Sequence, residues 1–339
     1  MTIRDRKTLK QTAARRLTAA SYNPKRLILI HSGVALGISL LLTLLDYWIA
    51  WQIDTKGSGL AGLGMRSVLE TVQTVLNGAY AILAPFWSMG LAHAFLRLAR
   101  GKAAWPQALL EGFRRKGPVF RMLLMQGLIY GILTFAAMWG AWILYTMTPG
   151  GQAFAEAIMK LIAGGVTDYV ALYEAIPEMV LDQVSKVYVP IFLVALLVLA
   201  IPASYRMRMA PYVLMEKERA GAWKAIRISG RITRRNGWRL VALDLSYWWY
   251  YLIQAVLVAV GMVPALLPLL QIQLPVDEGV LYIAANVLYT VLLLIFETQA
   301  KPKQQTVYAL AYEALREQYD LANPPKTQPE TAYGYGNEG

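Results

Sequence analysis

Three hexamers share one pattern: RLILIH from Arg26, RMLLMQ from Arg121 and RLVALD from Arg239. Each sets an arginine, four apolar residues and then a polar side chain, which is His31, Gln126 or Asp244. An imidazole, an amide and a carboxylate at one depth in three helices could do two kinds of chemistry. They could converge on a polar pocket open to the cytoplasm; or Asp244 could stay close to headgroup water or meet a cation on a neighbouring elbow, while His31 and Gln126 hydrogen-bond between helices as packing devices. Five residues past the arginine is about 7.5 Å of helix rise, roughly one and a half turns into a membrane. Asp244 is the notable member, because an aspartate in a span costs about 2.5–3.5 kcal/mol at the centre and less near the edge. Beside the first two positions lie GxxxG pairs, Gly33 with Gly37 and Gly127 with Gly131. In apolar helices that spacing lets backbones approach closely.

The elements that position these residues are membrane helices. The chain has 339 residues, is 57% hydrophobic, and still carries a net charge of +12. Only 16% of its residues are charged, where a soluble domain carries about a quarter. It contains no cysteine, which excludes disulfides, thiolate metal sites and cysteine nucleophiles. Two histidines, His31 and His93, leave little room for a histidine-rich metal centre. A span needs about 20 mostly apolar residues, and six segments qualify: about 27–51, 73–96, 122–145, 187–205, 240–263 and 280–298. The first is too long for the core of a cleavable signal peptide and reads as a retained helix.

The charges between the spans alternate. Residues 1–26 hold eight cations against Asp5, residues 97–121 seven against Glu111, and residues 206–239 ten against Glu216 and Glu218. The positive-inside rule therefore places both termini in the cytoplasm. Trp48, Trp51, Trp139 and Trp142 fall at the outer interface, and Trp105, Trp223 and Trp238 at the inner one, where indole rings are favoured. Pro264 and Pro268 are expected to end or break the fifth helix. The acidic loop 147–186 reads as short helices on the outer surface. Residues 301–320 read as a cytoplasmic helix and 321–339 as a disordered tail.

Trp105 and Trp223 each lie sixteen residues before their arginine, and Lys10 takes the matching place before Arg26. The spacing predicts three copies of one unit: a basic amphipathic elbow helix on the inner surface, a turn, then two spans. From Trp105 the apolar face is Ala108, Leu109, Gly112 and Phe113; from Trp223 it is weaker, Ile226 and Gly230 with Arg227 and Arg231 intruding; in the N-terminal copy it is Leu9, Ala13 and Leu17. Arg26, Arg121, Arg227, Arg231, Arg234, Arg235 and Arg239 are expected to face anionic headgroups, each worth about 1 kcal/mol near the surface. Membrane lipid is thus the expected partner, and nucleic acid is not, since the basic loops are tied to spans.

Other signals are weak. Gly57, Gly59 and Gly62 match GxGxxG without a preceding strand, so no dinucleotide site is expected. Glu216 and Glu218 lie among arginines and read as solvated charges. Asn286 is deep enough to make an interhelical hydrogen bond. No cofactor and no catalytic constellation is expected, so the chain reads as a non-enzyme.

From Ile201 to Trp248 the chain carries Ile201-Pro202, Tyr205, Pro211-Tyr212, Ala225-Ile226, Ser229, Asn236-Gly237 and Leu245-Ser246-Tyr247. This run resembles a family of uncharacterised bacterial integral-membrane proteins common in Firmicutes, domain of unknown function 975. Tyr308 and Tyr312 resemble that family's C-terminal tyrosines, whereas Ala203 and Tyr247 depart from its pattern. The resemblance implies a multi-pass protein of the bacterial plasma membrane with a cytoplasmic elbow, and supplies no activity. Two functions stay open at this point: a non-enzymatic scaffold gripping the inner leaflet, or a transporter or channel lined by His31, Gln126 and Asp244.

Overall fold

The computed structural model describes residues 5–56, 60–165, 184–216, 221–269 and 278–323. Every regular element among them is helical. In chain order these are α1 (Arg6–Thr18), α2 (Pro24–Lys56), α3 (Leu60–Ala99), a 3-10 turn (Pro106–Leu110), α4 (Glu111–Arg114), α5 (Lys116–Thr146) and α6 (Pro149–Ala163). A π turn (Val184–Tyr188) then leads into α7 (Val189–Met207), followed by α8 (Ala210–Glu216), α9 (Ala222–Thr233), α10 (Gly237–Leu245), α11 (Trp248–Leu269) and α12 (Glu278–Ala322). Six helical stretches are long and apolar enough to cross a membrane: Pro24–Gln52, Ser67–Ala99, Lys116–Thr146, Val184–Glu216, Trp248–Leu267 and Gly279–Ala322. Six is the number expected. Their outward surfaces leave Leu41, Leu128 and Val198 more than 60% exposed, an apolar surface that only hydrocarbon covers cheaply. The protein is an all-α polytopic membrane protein.

The chain divides into two compact units, one of residues 1–116, 211–218 and 238–339, the other of residues 117–210 and 219–237. In the first, α12 is the organising element and packs against α2, α11, α1 and α3. At 45 residues it is about 67 Å long, more than twice the ~30 Å hydrocarbon core. The sixth span and the expected cytoplasmic helix 301–320 are therefore one continuous helix, which passes through Pro302. In the second unit, α9 packs against α7, and Trp142, Tyr145, Phe154 and Tyr188 cluster with ring centroids 5.7–6.4 Å apart. Thr148 caps α6 by accepting a hydrogen bond from the Gly151 amide at 3.2 Å, so part of the acidic loop does form a helix.

Several expectations change. The fifth span does not start at Arg239. Helix α10 ends at Leu245, a turn follows, and the apolar stretch begins at Trp248. Asp244 thus lies on a short helix ahead of the long apolar one. Helix α11 runs through Pro264 and is described to Leu269, one residue past Pro268. The elbow after Trp105 is not a continuous amphipathic helix; it is a 3-10 turn and a four-residue helix folded onto α3. Asn286 donates to the Tyr282 carbonyl of its own helix at 2.9 Å instead of crossing to another. The loop segment 166–183, the tail 324–339, Glu218, Gly57 and Gly59 lie outside the described residues.

Candidate functional site

Two polar assemblies stand out against the apolar background. The first is on α9. Ala222, Ala225, Ile226, Ser229, Ile232 and Thr233 are buried, a helical stripe at i, i+3, i+4, i+7, i+10 and i+11. The stripe sits on α7 because Ser229 completes the end of that helix: its Oγ donates to the Arg206 carbonyl at 2.6 Å and accepts from the Met209 amide at 3.1 Å. Carbonyls in the last turn of a helix need such external donors. The opposite side of α9 exposes Trp223, Lys224, Arg227, Arg231 and Arg234, with Arg235 exposed just beyond. Counting the face from Trp223 misplaced it by one residue, since that indole is 60% exposed and belongs with the cations.

The second assembly runs along one face of α12. Glu297, Lys301, Gln304, Tyr308, Tyr312 and Arg316 recur at three- or four-residue steps, a polar stripe about 28 Å long. Glu297 is 8% exposed; it accepts a hydrogen bond from Ser32 of α2 and pairs with Lys301 at 2.9 Å. Gln304 donates to the hydroxyls of Tyr308 and of Tyr251 on α11, at 3.4 and 3.5 Å. Tyr308 donates to Asp244 at 2.5 Å. Further along, Tyr312 donates to Glu216 at 2.6 Å, and Glu216 also pairs with Arg100 of α3 and with Arg316. Its side chain is only 8% exposed, so Glu216 is a buried, doubly paired carboxylate and not a solvated charge. Burying it is tolerable because three donors replace its water.

Helix α1 closes over the same region. Its Leu9 and Ala13 are buried among residues of unit one, where α1 packs against α12. Arg6 donates to the Ala242 carbonyl at 3.0 Å and Lys10 to the Ser246 carbonyl at 3.1 Å. Two cations thus meet the negative end of α10, as the helix dipole favours. Lys10 Nζ also lies 4.5 Å from the Tyr247 ring centroid. Burial lowers the pKa of the Lys10 ammonium and pushes the Tyr247 phenol up to about 12.

Of the residues named from the hexamers, His31 and Asp244 lie in the first unit and Gln126 in the second. His31 is 6% exposed, stacks on Trp87 at 5.9 Å, and has no hydrogen-bond partner for either ring nitrogen among the described residues. Asp244 is held by Tyr308. Gln126 is half-buried on α5, in the second unit. Arg26 and Arg121 are exposed, and Arg239 is half-buried. Of the paired glycines, a Cβ at Gly33 would just reach Leu294 at 4.0 Å, while at Gly37, Gly127 and Gly131 it would meet nothing within 4 Å. Close approach occurs instead at Gly90 and Gly112, neither of which belongs to those pairs. No cluster of three or more His, Asp or Glu among the described residues could hold a metal ion.

Sequence reading missed Glu297, a buried carboxylate of this network. A signal existed: Lys301 follows at i+4, the spacing of a helical ion pair. Glu216 was missed because its partners, Arg100 and Arg316, are far away in sequence.

Comparison with curated proteins and with solved structures finds no match for this chain. The family model described as "Protein of unknown function (DUF975)" matches residues 1–319, nearly the whole chain. It reaches from α1, through Ser229, Asp244 and Glu216, to Arg316 on the polar stripe. This protein belongs to the DUF975 family.

Proposed function

We propose that this protein is a non-enzymatic scaffold of the bacterial plasma membrane, with both termini in the cytoplasm, that holds anionic lipid against its basic face. The observation that supports it is the two-sided build of α9. One side is fixed to α7 through Ser229; the other presents Lys224, Arg227, Arg231 and Arg234 together with the indole of Trp223. Cations beside an interfacial tryptophan suit the headgroup layer. Among the described residues these cations take no part in the buried ion network. Long arginine stems lie along the interface while their guanidinium groups reach phosphate.

The test is to replace Arg227, Arg231, Arg234 and Arg235 with glutamine and extract the protein from membranes of mixed lipid. Each cation is worth about 1 kcal/mol at an anionic surface, so the loss of four should lower the enrichment of anionic over zwitterionic lipid around the protein by at least tenfold. Unchanged enrichment in a folded variant would remove the proposal.

A further inference from the structure

A groove of about 520 Å³ runs between α2 and α3 in the first unit. Small side chains hollow it out: Ala35 on one wall, Ala79 and Ala84 on the other, between the larger Ile38, Leu42 and Leu83. The two polar groups on its walls are already used. Tyr80 donates its hydroxyl to the Ala35 carbonyl at 3.2 Å, and Trp87 its indole N–H to the His31 carbonyl at 3.0 Å. What remains is a hydrocarbon-lined slot inside two membrane spans.

Its length and its floor say what fits. On α3 the lining runs from Leu76 to Trp87, about 16 Å of helix. That is the depth of one leaflet of a ~30 Å hydrocarbon core. The slot ends on Leu110 and Phe113, which belong to the 3-10 turn and α4. The next residues are cationic and exposed: Arg114, whose side chain is 69% exposed and reaches Glu111 only at 3.7 Å, and Lys116. Trp105, 53% exposed and 5.5 Å from Tyr22 between ring centroids, marks the interfacial layer at the start of the same turn.

The geometry points to a bound-lipid site: one acyl chain of an anionic phospholipid in the α2–α3 groove, its headgroup on Arg114 and Lys116. The site rests on the reading of this protein as an inner-leaflet lipid binder, and adds a single, stoichiometric lipid that the α9 face does not require. The folded elbow has a role here. By turning onto α3 where a longer helix was expected, it closes the groove at headgroup depth.

Native mass spectrometry of the detergent-solubilised full chain tests it, with phosphatidylglycerol and phosphatidylethanolamine supplied in equal amounts. The wild-type protein should keep one phosphatidylglycerol after the loosely held lipids are stripped. Filling the groove with Ala79→Leu and Ala84→Leu should remove that lipid. Replacing Arg114 and Lys116 with glutamine, surface changes that leave the packing intact, should cut the preference for phosphatidylglycerol by roughly thirtyfold, the worth of two surface cations. Retention of one phosphatidylglycerol by both variants would overturn the site, as would an equal preference for both lipids in the wild type, or a second copy of the chain in the groove in place of lipid. The α9 glutamine variant separates the two proposals. If it keeps its one tight lipid but loses bulk enrichment, both hold; if it keeps both while the groove variants lose theirs, only the α9 reading fails.

Discussion

At the scale of single residues, carboxylates define this protein more than histidine or glutamine does. Asp244, Glu297 and Glu216 each meet a partner on α12: Tyr308, Lys301, and Tyr312 with Arg316. A hydrogen bond to a charged acceptor is worth about 1.5–3 kcal/mol. Tyr308→Phe should therefore lower the free energy of unfolding by that amount, measured by denaturant titration in mixed micelles. Asp244→Asn should be coupled to it, so that the double variant loses less than the sum of the two. Strict additivity would mean that the phenol and the carboxylate do not meet in solution.

At the scale of elements, close backbone approach governs the elbow between α3 and α5. A Cβ built on Gly90 would stand 1.8 Å from the Leu109 carbonyl oxygen, and one on Gly112 would stand 1.9 Å from that of Phe86. Backbone cannot yield as a flexible side chain can, so each alanine forces the elbow off α3. Gly90→Ala and Gly112→Ala should each cost about 1–3 kcal/mol by overpacking. Gly127→Ala and Gly131→Ala, with open space around them, should stay within about 0.5 kcal/mol of wild type. Thermal unfolding of the four variants decides the matter. Equal effects at all four positions would contradict this packing.

At the scale of the whole molecule, sidedness carries the functional argument, and the absence of cysteine makes it directly measurable. Ala153 on α6 and Lys224 on α9 are both exposed. Single cysteines there, treated with a membrane-impermeant maleimide on intact cells, should give labelling at position 153 at once and at position 224 only after permeabilisation. The opposite pattern would put the α9 cations outside the cell, away from the negative leaflet that the proposed function requires. Such a result would also count against placing the groove headgroup at Arg114 and Lys116 in the inner leaflet.

Helical class, six spans and the basic character of the segments between them are legible in the sequence alone. All of these follow from local quantities: runs of apolar residues about 20 long and the charges on either side. The exposed cations of α9 were legible too, although the helix phase was not, because Trp223 was read as an anchor of the buried face. Which polar residues meet emerges only from the packing of the helices. Lys301 is four residues from Glu297, but Tyr308 is 64 residues from Asp244 and Tyr312 is 96 from Glu216. No periodicity encodes such pairings, since they depend on how long helices lie side by side. The same holds for the elbow after Trp105: its apolar spacing suits a helix, yet the glycines at 90 and 112 bring two backbones together, and a 3-10 turn is what fits between them. The break after Asp244 has a comparable cause. Two cations from α1, more than two hundred residues away, satisfy the carbonyls at the end of α10 and so let the helix stop where its own sequence would have continued.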